Sequence, residues 1–250
     1  MAFTFIRMKN LVIDVGNTQV KAAVFESDTL LESVVFEEKD FRKNIEYLKE
    51  KYAVKHCILS SVKDIDEKIT TQLNQFEYFI SLNSTTKVSF TNLYSTPTTL
   101  GIDRIALVAA AISKFENKNV LIIDAGTCIT YDFLDSINQY HGGAISPGIN
   151  IRYKSLHDYT SKLPLLSKEE NFSLIGDSTS GAIHSGIING VIQEIEGVIN
   201  QYKAKYPDLT VVLTGGDTKF LSKQLKNSIF ANQNFLLYGL NQILTFNNKE

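Results

Sequence analysis

The sequence predicts a mixed α/β fold built twice, and three observations carry that prediction. The first is an apolar run, Leu11-Val12-Ile13, that ends in Asp14-Val15-Gly16-Asn17-Thr18 and resumes at Val20, Ala22, Val24 and Phe25. The second is its repetition about 110 residues later, a spacing that signals repeated architecture. There Val120-Leu121-Ile122-Ile123 leads into Asp124-Ala125-Gly126-Thr127 and on to Cys128-Ile129-Thr130-Tyr131-Asp132. The third is that helical and strand-like periods alternate behind each hairpin, the pattern of a mixed sheet covered by helices.

In chain order, the first hairpin closes on a Gly16-Asn17 turn, a pair suited to tight strand connections. Leu30–Phe36 reads as a third strand. From Asp40 to Tyr52, Phe41, Ile45, Tyr47, Leu48 and Tyr52 recur at helical spacing, with Asp40 as the N-cap. A strand over His56–Val62, a helix over Asp64–Gln75 and a strand over Tyr78–Ile80 follow. Residues 85–99 lack a regular pattern and read as a functional loop. Gly101-Ile102-Asp103-Arg104 opens a helix to about Phe115, with Ile105, Val108, Ala109 and Ile112 on one face. Asn117-Lys118-Asn119 marks the boundary, giving domains 1–116 and 117–250.

The second half reopens with strands at 120–125, 128–135 and 139–146, a turn at Gly142–Gly148 and a helix over Gly148–Tyr159. Residues 160–180 are polar and irregular. Gly181–Tyr206 is predicted as a long helix whose buried side holds Ile183, Ile187, Ile188, Val191, Ile192, Ile195 and Val198. That side is broad enough for a core and an interface. Leu209–Leu213 reads as a buried strand ending in Thr214-Gly215-Gly216-Asp217, and helices at 218–227 and 235–245 close the chain.

Composition narrows the function classes. With 250 residues, 44% hydrophobic and 21% charged, the chain has the make-up of an ordinary globular protein. A net charge of -2 offers no basic surplus for nucleic acid or an anionic membrane surface. No apolar stretch approaches the ~20 residues of a membrane-spanning helix, and Met1–Lys9 is too short in apolar residues for a signal peptide. Those residues read as a leader before the first strand, with Met8 as an alternative start. Cys57 and Cys128 both lie in apolar, strand-like contexts and are expected to be buried free thiols, which makes the cytoplasm the default location.

The chemistry rests on the hairpins. A carboxylate at the end of a buried strand needs a donor or a metal, because an unpaired buried charge is costly. Gly16 lets a ligand approach the backbone, and the turn N–H groups with Thr18 can hold phosphate oxygens. Two such hairpins facing each other could grip one polyphosphate. No P-loop, dinucleotide fingerprint, paired Cys-x-x-Cys or zinc-protease motif is present. The four histidines, His56, His141, His157 and His184, show no ligand spacing.

Duplicated Asp-x-Gly-Thr hairpins with a late Gly-Gly turn resemble the superfamily of acetate and sugar kinases, Hsp70 and actin. Within it, Asp14–Lys21, Tyr94 with Gly101–Arg104, Asp124–Asp132, Gly142–Gly148, Thr179 and Thr214–Asp217 resemble the type III pantothenate kinases. Cys128 stands where that family has Ala, and Ser178 where it has Asn.

The resemblance implies two ribonuclease H-like domains in a duplicated actin-like ATPase architecture. It implies phosphorylation of pantothenate by ATP, the first step to coenzyme A. Asp103 would be the general base, with Tyr94, Gly101, Ile102, Arg104 and Thr179 at the substrate. Asp14, Val15, Gly16, Asn17, Thr18, Gln19, Val20, Lys21 and Thr127 would hold ATP, and Gly215 and Gly216 its adenosine. Asp14 would orient hydrated Mg²⁺, and Asp124 a monovalent cation, potassium or ammonium. A homodimer would share its active sites through Thr179. The competing expectations are a sugar kinase of the same superfamily and a non-catalytic transcriptional accessory factor.

Overall fold

Strand β1 (Lys9–Val15) lies at the centre of the first sheet, and its sequence explains why. Leu11, Val12 and Ile13 are consecutive and all fully buried, so both faces of the strand are covered. The structure is a computed structural model that describes residues 9–248. The leader and the Met8 start lie outside the described residues. Among the described residues, no helix is long and apolar enough to cross a membrane.

Strands β2 (Val20–Glu26) and β3 (Thr29–Phe36) continue antiparallel, while β4 (His56–Ser61) and β5 (Tyr78–Ser81) run parallel on the other side. The order is β3-β2-β1-β4-β5. β3, at the edge, alternates exposed and half-buried residues, as an edge strand with one wet face does. Helix α1 (Phe41–Tyr52) packs Phe41, Ile45 and Leu48 inward. Tyr47, predicted on that face, is instead exposed. Asp40 is at the N-cap, but its side chain makes no capping bond; a short 3₁₀ turn at Glu38–Asp40 leads into the helix. Helix α2 (Glu67–Leu73) is shorter than predicted, because Asp66 Oδ1 accepts from the Lys68 N–H at 2.8 Å and starts the helix there. Most of the predicted 85–99 loop is irregular, with a two-residue strand β6 (Thr91–Asn92).

Helix α3 (Ile102–Lys114) ends this stretch, and α7 (Phe235–Asn247) packs on it. A Cβ added at Gly239 would lie 1.8 Å from the Ala106 carbonyl oxygen, so only glycine permits this approach. Asn241 accepts from Asn10 Nδ2 at 2.8 Å and donates to the Ser27 carbonyl at 2.8 Å, which ties α7 to β1 and the β2–β3 turn. The first compact unit is therefore the chain up to Lys114 together with Phe235 onward; the second is Phe115–Asn234. This corrects the single cut at 116/117. The polar bridge through Asn10 and Asn241 joins residues more than two hundred positions apart, with no local signal.

The second unit repeats the first. Strands β7 (Val120–Ala125), β8 (Cys128–Leu134), β9 (Gln139–Pro147), β10 (Thr210–Thr214) and β11 (Phe230–Ala231) fall in the order β11-β10-β7-β8-β9. β7–β8 and β8–β9 are antiparallel, and β7–β10 and β10–β11 parallel, as in the first sheet. The predicted turn at Gly142–Gly148 is mostly strand. β9 runs to Pro147, and Gly142, at φ +91°, follows a bulge that leaves His141 unpaired in the β8–β9 register.

Helices α4 (Ile149–Asp158), α5 (Thr179–Lys205) and the single-turn α6 (Thr218–Leu221) complete the unit. α6 is far shorter than the predicted 218–227, and the strand β11 after it was not foreseen. The predicted face of α5 is buried, with Ile199 deeper than Val198, and packs on Leu121, Ile123, Tyr131, Val211 and Leu213 of its own sheet. That helix side is spent on the core of its own unit rather than on an interface. Cys57 is buried and free as expected, and burial pushes its thiol far up. Cys128 is free but exposed, because it is the first residue after the Gly126-Thr127 turn.

Candidate active site

In the first unit, two chain segments bring carboxylates together. Asp14 is the penultimate residue of β1, at the carboxyl end of the parallel pair β1–β4, where open α/β sheets bind ligands. Its neighbours are set by register: Lys21 lies opposite on β2 and Ser60 beside it on β4. Asp103 lies in the first turn of α3. Burial pushes the Asp14 carboxyl up to about 6, the charge of Lys21 and the neighbouring Ser60 hydroxyl pull it back, and the Asp103 charge adds to the rise. A half-desolvated carboxylate beside a second one is a place that favours a cation. Among the described residues no cluster of three or more metal-ligating side chains occurs.

The β1–β2 connection is a four-residue loop, Gly16–Gln19, wider than a tight Gly-Asn turn; the Gly16 N–H donates to the Gln19 carbonyl at 3.1 Å. Asn17, Thr18 and Gln19 are exposed at its tip. Val15 and Val20 point into the core, so of the predicted ATP residues these two offer backbone atoms only.

Asp103 Oδ1 accepts from the Arg104 N–H at 2.8 Å, which fixes the carboxylate at the helix start. A Cβ on Gly101 would lie 2.4 Å from that oxygen, so Gly101 makes room for the carboxylate. Arg104 is only 5% exposed, and its guanidinium carbon lies 5.5 Å from the centre of the Tyr94 ring. The structure thus joins Tyr94 to Arg104 as a cation–π pair, and Arg104 is no surface residue. Ser60 was missed from sequence, because only the parallel register of β4 on β1 places it beside Asp14.

The second unit holds the equivalent carboxylate. Asp124 is penultimate in β7, paired with Thr130 on β8 and Thr214 on β10. Gly126 and Thr127 form the turn, whose Gly126 N–H donates to the Cys128 carbonyl at 2.9 Å. Gly148 N–H donates to the Thr127 carbonyl at 3.1 Å, and Arg152 braces this segment. Arg152 bonds to Ser146 Oγ at 3.0 Å, to the Pro147 carbonyl at 2.9 Å and to Glu194 at 2.5 Å.

Gly215 follows β10 at φ +94°, and a Cβ there would lie 2.3 Å from Asp124 Oδ1. Gly215→Ala should therefore cost both strain and the Asp124 position. We expect a loss of about 2–4 kcal/mol in denaturant unfolding and at least tenfold weaker ATP binding by calorimetry; wild-type values for both would remove the steric argument. Gly216 is exposed at the same turn, and a Cβ there would meet open space. Thr179 is the exposed first residue of α5, and Ser178 caps that helix by accepting from the Gly181 N–H at 3.1 Å. A cavity of about 680 Å³ at this helix start is lined by Glu169, Phe172, Ser178, Ser180 and His184, among others.

Comparison with known proteins bears on the family and the fold. The sequence profile of the type III pantothenate kinases matches residues 10–201. A type III pantothenate kinase from Christiangramia forsetii is 54% identical over 239 residues, covering 95% of this chain and 98% of that protein. One from Bacteroides fragilis is 45% identical over 240 residues, covering 96% and 98%. Among solved structures, a Baf family transcriptional activator from Campylobacter jejuni superposes with a TM-score of 0.61 at 23% identity, covering 96% of this chain and all of that one. A glucokinase from an Antarctic psychrotroph gives 0.53 at 13% identity, covering 95% and 99%. At such identities these two likenesses bear on the fold alone, which is the duplicated actin-like architecture of paired ribonuclease H-like sheets. With a profile match over most of its length and relatives near half identity throughout, the chain belongs to the type III pantothenate kinase family.

Proposed function

We propose that this protein transfers the terminal phosphoryl group of ATP to the primary hydroxyl of pantothenate, in the cytoplasm, giving 4'-phosphopantothenate for coenzyme A synthesis. Family membership supports the reaction. The observation that carries the site is a buried Asp14 at the carboxyl end of β1–β4 with Lys21 and Ser60 at its sides, and Asp103 fixed at the start of α3 with its charge felt at Asp14. Asp103, held by the Arg104 N–H, accepts the hydroxyl proton and aims the oxygen in line with the phosphorus. In a loose phosphoryl-transfer transition state most of the gain is positioning and charge neutralisation. Arg104, backed by Tyr94, fixes a polar group of pantothenate, and Thr18, Lys21 and Thr127 hold phosphate oxygens. Gly215 and Gly216 offer bare backbone to the adenosine. Asp14 would hold Mg²⁺, which would supply charge neutralisation on the phosphates. The likenesses to a glucokinase and to a transcriptional activator are too distant in sequence to favour either activity here.

A coupled ADP-release assay tests the proposal. Pantothenate, and none of a panel of hexoses, should sustain turnover; release with a hexose alone would replace the reading with that of a sugar kinase. The same assay tests the monovalent cation at Asp124. Potassium or ammonium should activate the wild type, and Asp124→Ala should abolish that response. Unchanged activation in the variant places the cation elsewhere.

We also infer a homodimer that completes the substrate pocket. Its support is an apolar surface leading to Thr179: Leu174 is 80% and Ile175 82% exposed in the single chain, and Leu165 and Tyr159 are exposed nearby in sequence. Such side chains call for a cover. Sedimentation of the active enzyme should give twice the chain mass; an active monomer overturns this part.

A further inference from the structure

We propose that Lys168 is a positioning residue for the nucleotide turn Thr214–Asp217, holding it by neutralising Asp217. The inference rests on the assignment of Gly215 and Gly216 to the nucleotide. Nothing in the sequence singles out Lys168, which lies in the polar, irregular stretch before α5.

Three observations converge. Asp217 occupies the N-cap of α6, where an Asp side chain ordinarily accepts from the helix N–H groups, yet it makes no capping bond. Its Oδ1 accepts instead from Lys168 Nζ. The two side chains are only 13% and 29% exposed, so the pair is shielded from the screening that makes surface ion pairs weak. Lys168 Nζ also lies 5.0 Å from the centre of the Phe220 ring, a second hold on α6. Finally, the turn has no slack. The Asp217 N–H donates to the Ala125 carbonyl at 2.9 Å, and Thr218 Oγ1 donates to the Gly215 carbonyl at 2.7 Å. Gly215 packs against Asp124 Oδ1 and the Ala125 carbonyl. A displaced Asp217 therefore moves Gly215 against Asp124.

Charge gives the second half of the argument. The turn brings two carboxylates, Asp124 and Asp217, to where a polyanionic nucleotide would arrive. With Lys168 in place Asp217 is neutralised; without it the site repels its ligand. Lys168 need not touch the nucleotide to act.

The test is ATP affinity measured by calorimetry without pantothenate, alongside steady-state kinetics. Lys168→Met should weaken ATP binding on the order of tenfold and raise the KM for ATP similarly, while the KM for pantothenate stays within about twofold. Lys168→Arg should retain wild-type affinity. Lys168→Met combined with Asp217→Asn should recover much of the loss, because the uncompensated charge is gone. Should Lys168→Met not fold, Lys168→Gln carries the same comparison. Wild-type ATP affinity in the uncharged variant, or a loss that neither the Arg variant nor the double variant repairs, overturns the inference while leaving the kinase assignment intact. A wild-type enzyme that phosphorylates pantothenate but is insensitive to Gly215→Ala would instead remove the turn assignment beneath it.

Discussion

Asp103→Asn should leave pantothenate binding near wild type and lower turnover by about 10²–10⁴-fold, the usual cost of losing a general base. Asn is nearly isosteric with Asp, and its Oδ1 still accepts from the Arg104 N–H, so the start of α3 should persist. What is lost is a group that can take the hydroxyl proton. The substitution also removes a negative charge that raises the Asp14 pKa. The acid limb of the residual activity should therefore move to lower pH. Steady-state kinetics across pH, with pantothenate affinity by calorimetry, gives both readings. Wild-type-like turnover would falsify the base assignment, and loss of pantothenate binding would recast Asp103 as a substrate contact.

Asp14→Asn should do two opposite things: lower turnover by at least about a hundredfold and raise the melting temperature. The stability half follows from linkage. The Asp14 carboxyl titrates at about 6 in the folded protein against an ordinary 3.8, so the folded state holds this proton more tightly than the unfolded chain does. The favourable contribution of the protonated form is complete below the ordinary value. It disappears as pH rises through about 6. At neutral pH the ionised group then costs up to about 3 kcal/mol. Asn carries no such cost, so the variant should melt about 5–10 °C higher near pH 7.5. That gain should vanish below about pH 4. A melting temperature that falls, or a gain independent of pH, defeats the electrostatic account. The activity half follows from the role proposed for Asp14 in holding Mg²⁺, and on that proposal adding MgATP should stabilise the wild type more than the variant. Wild-type activity should also decline as pH drops through about 6 and Asp14 takes up its proton.

Much of this protein is determined locally. The runs Leu11–Ile13 and Val120–Ile123 are too apolar to sit anywhere but at sheet centres, and they do. Their repetition foretold a repeated architecture, and the order β3-β2-β1-β4-β5 recurs as β9-β8-β7-β10-β11. The spacing of isoleucines and valines fixed the buried side of α5, since a 3.6-residue period admits one core-facing stripe. Asp14, Asp103, Asp124 and Gly215 stand out as candidates in the sequence because each lies at an element end with a glycine nearby, where a turn or a close approach needs one.

Tertiary structure alone decided the rest, because the deciding contacts are between residues far apart in sequence. Asn241 bonds to Asn10, and this assigns α7 to the first unit. Parallel pairing of β4 with β1 put Ser60 beside Asp14. The sheet packing of α5 used up the face that sequence left open for a partner. Cys128 came out exposed because a strand's first residue projects from the turn rather than from the sheet. Lys168 reached Asp217 from a stretch with no periodicity at all. Periodicity reports which side of an element is buried, but not what buries it, and an ion pair between two loops leaves no period to read.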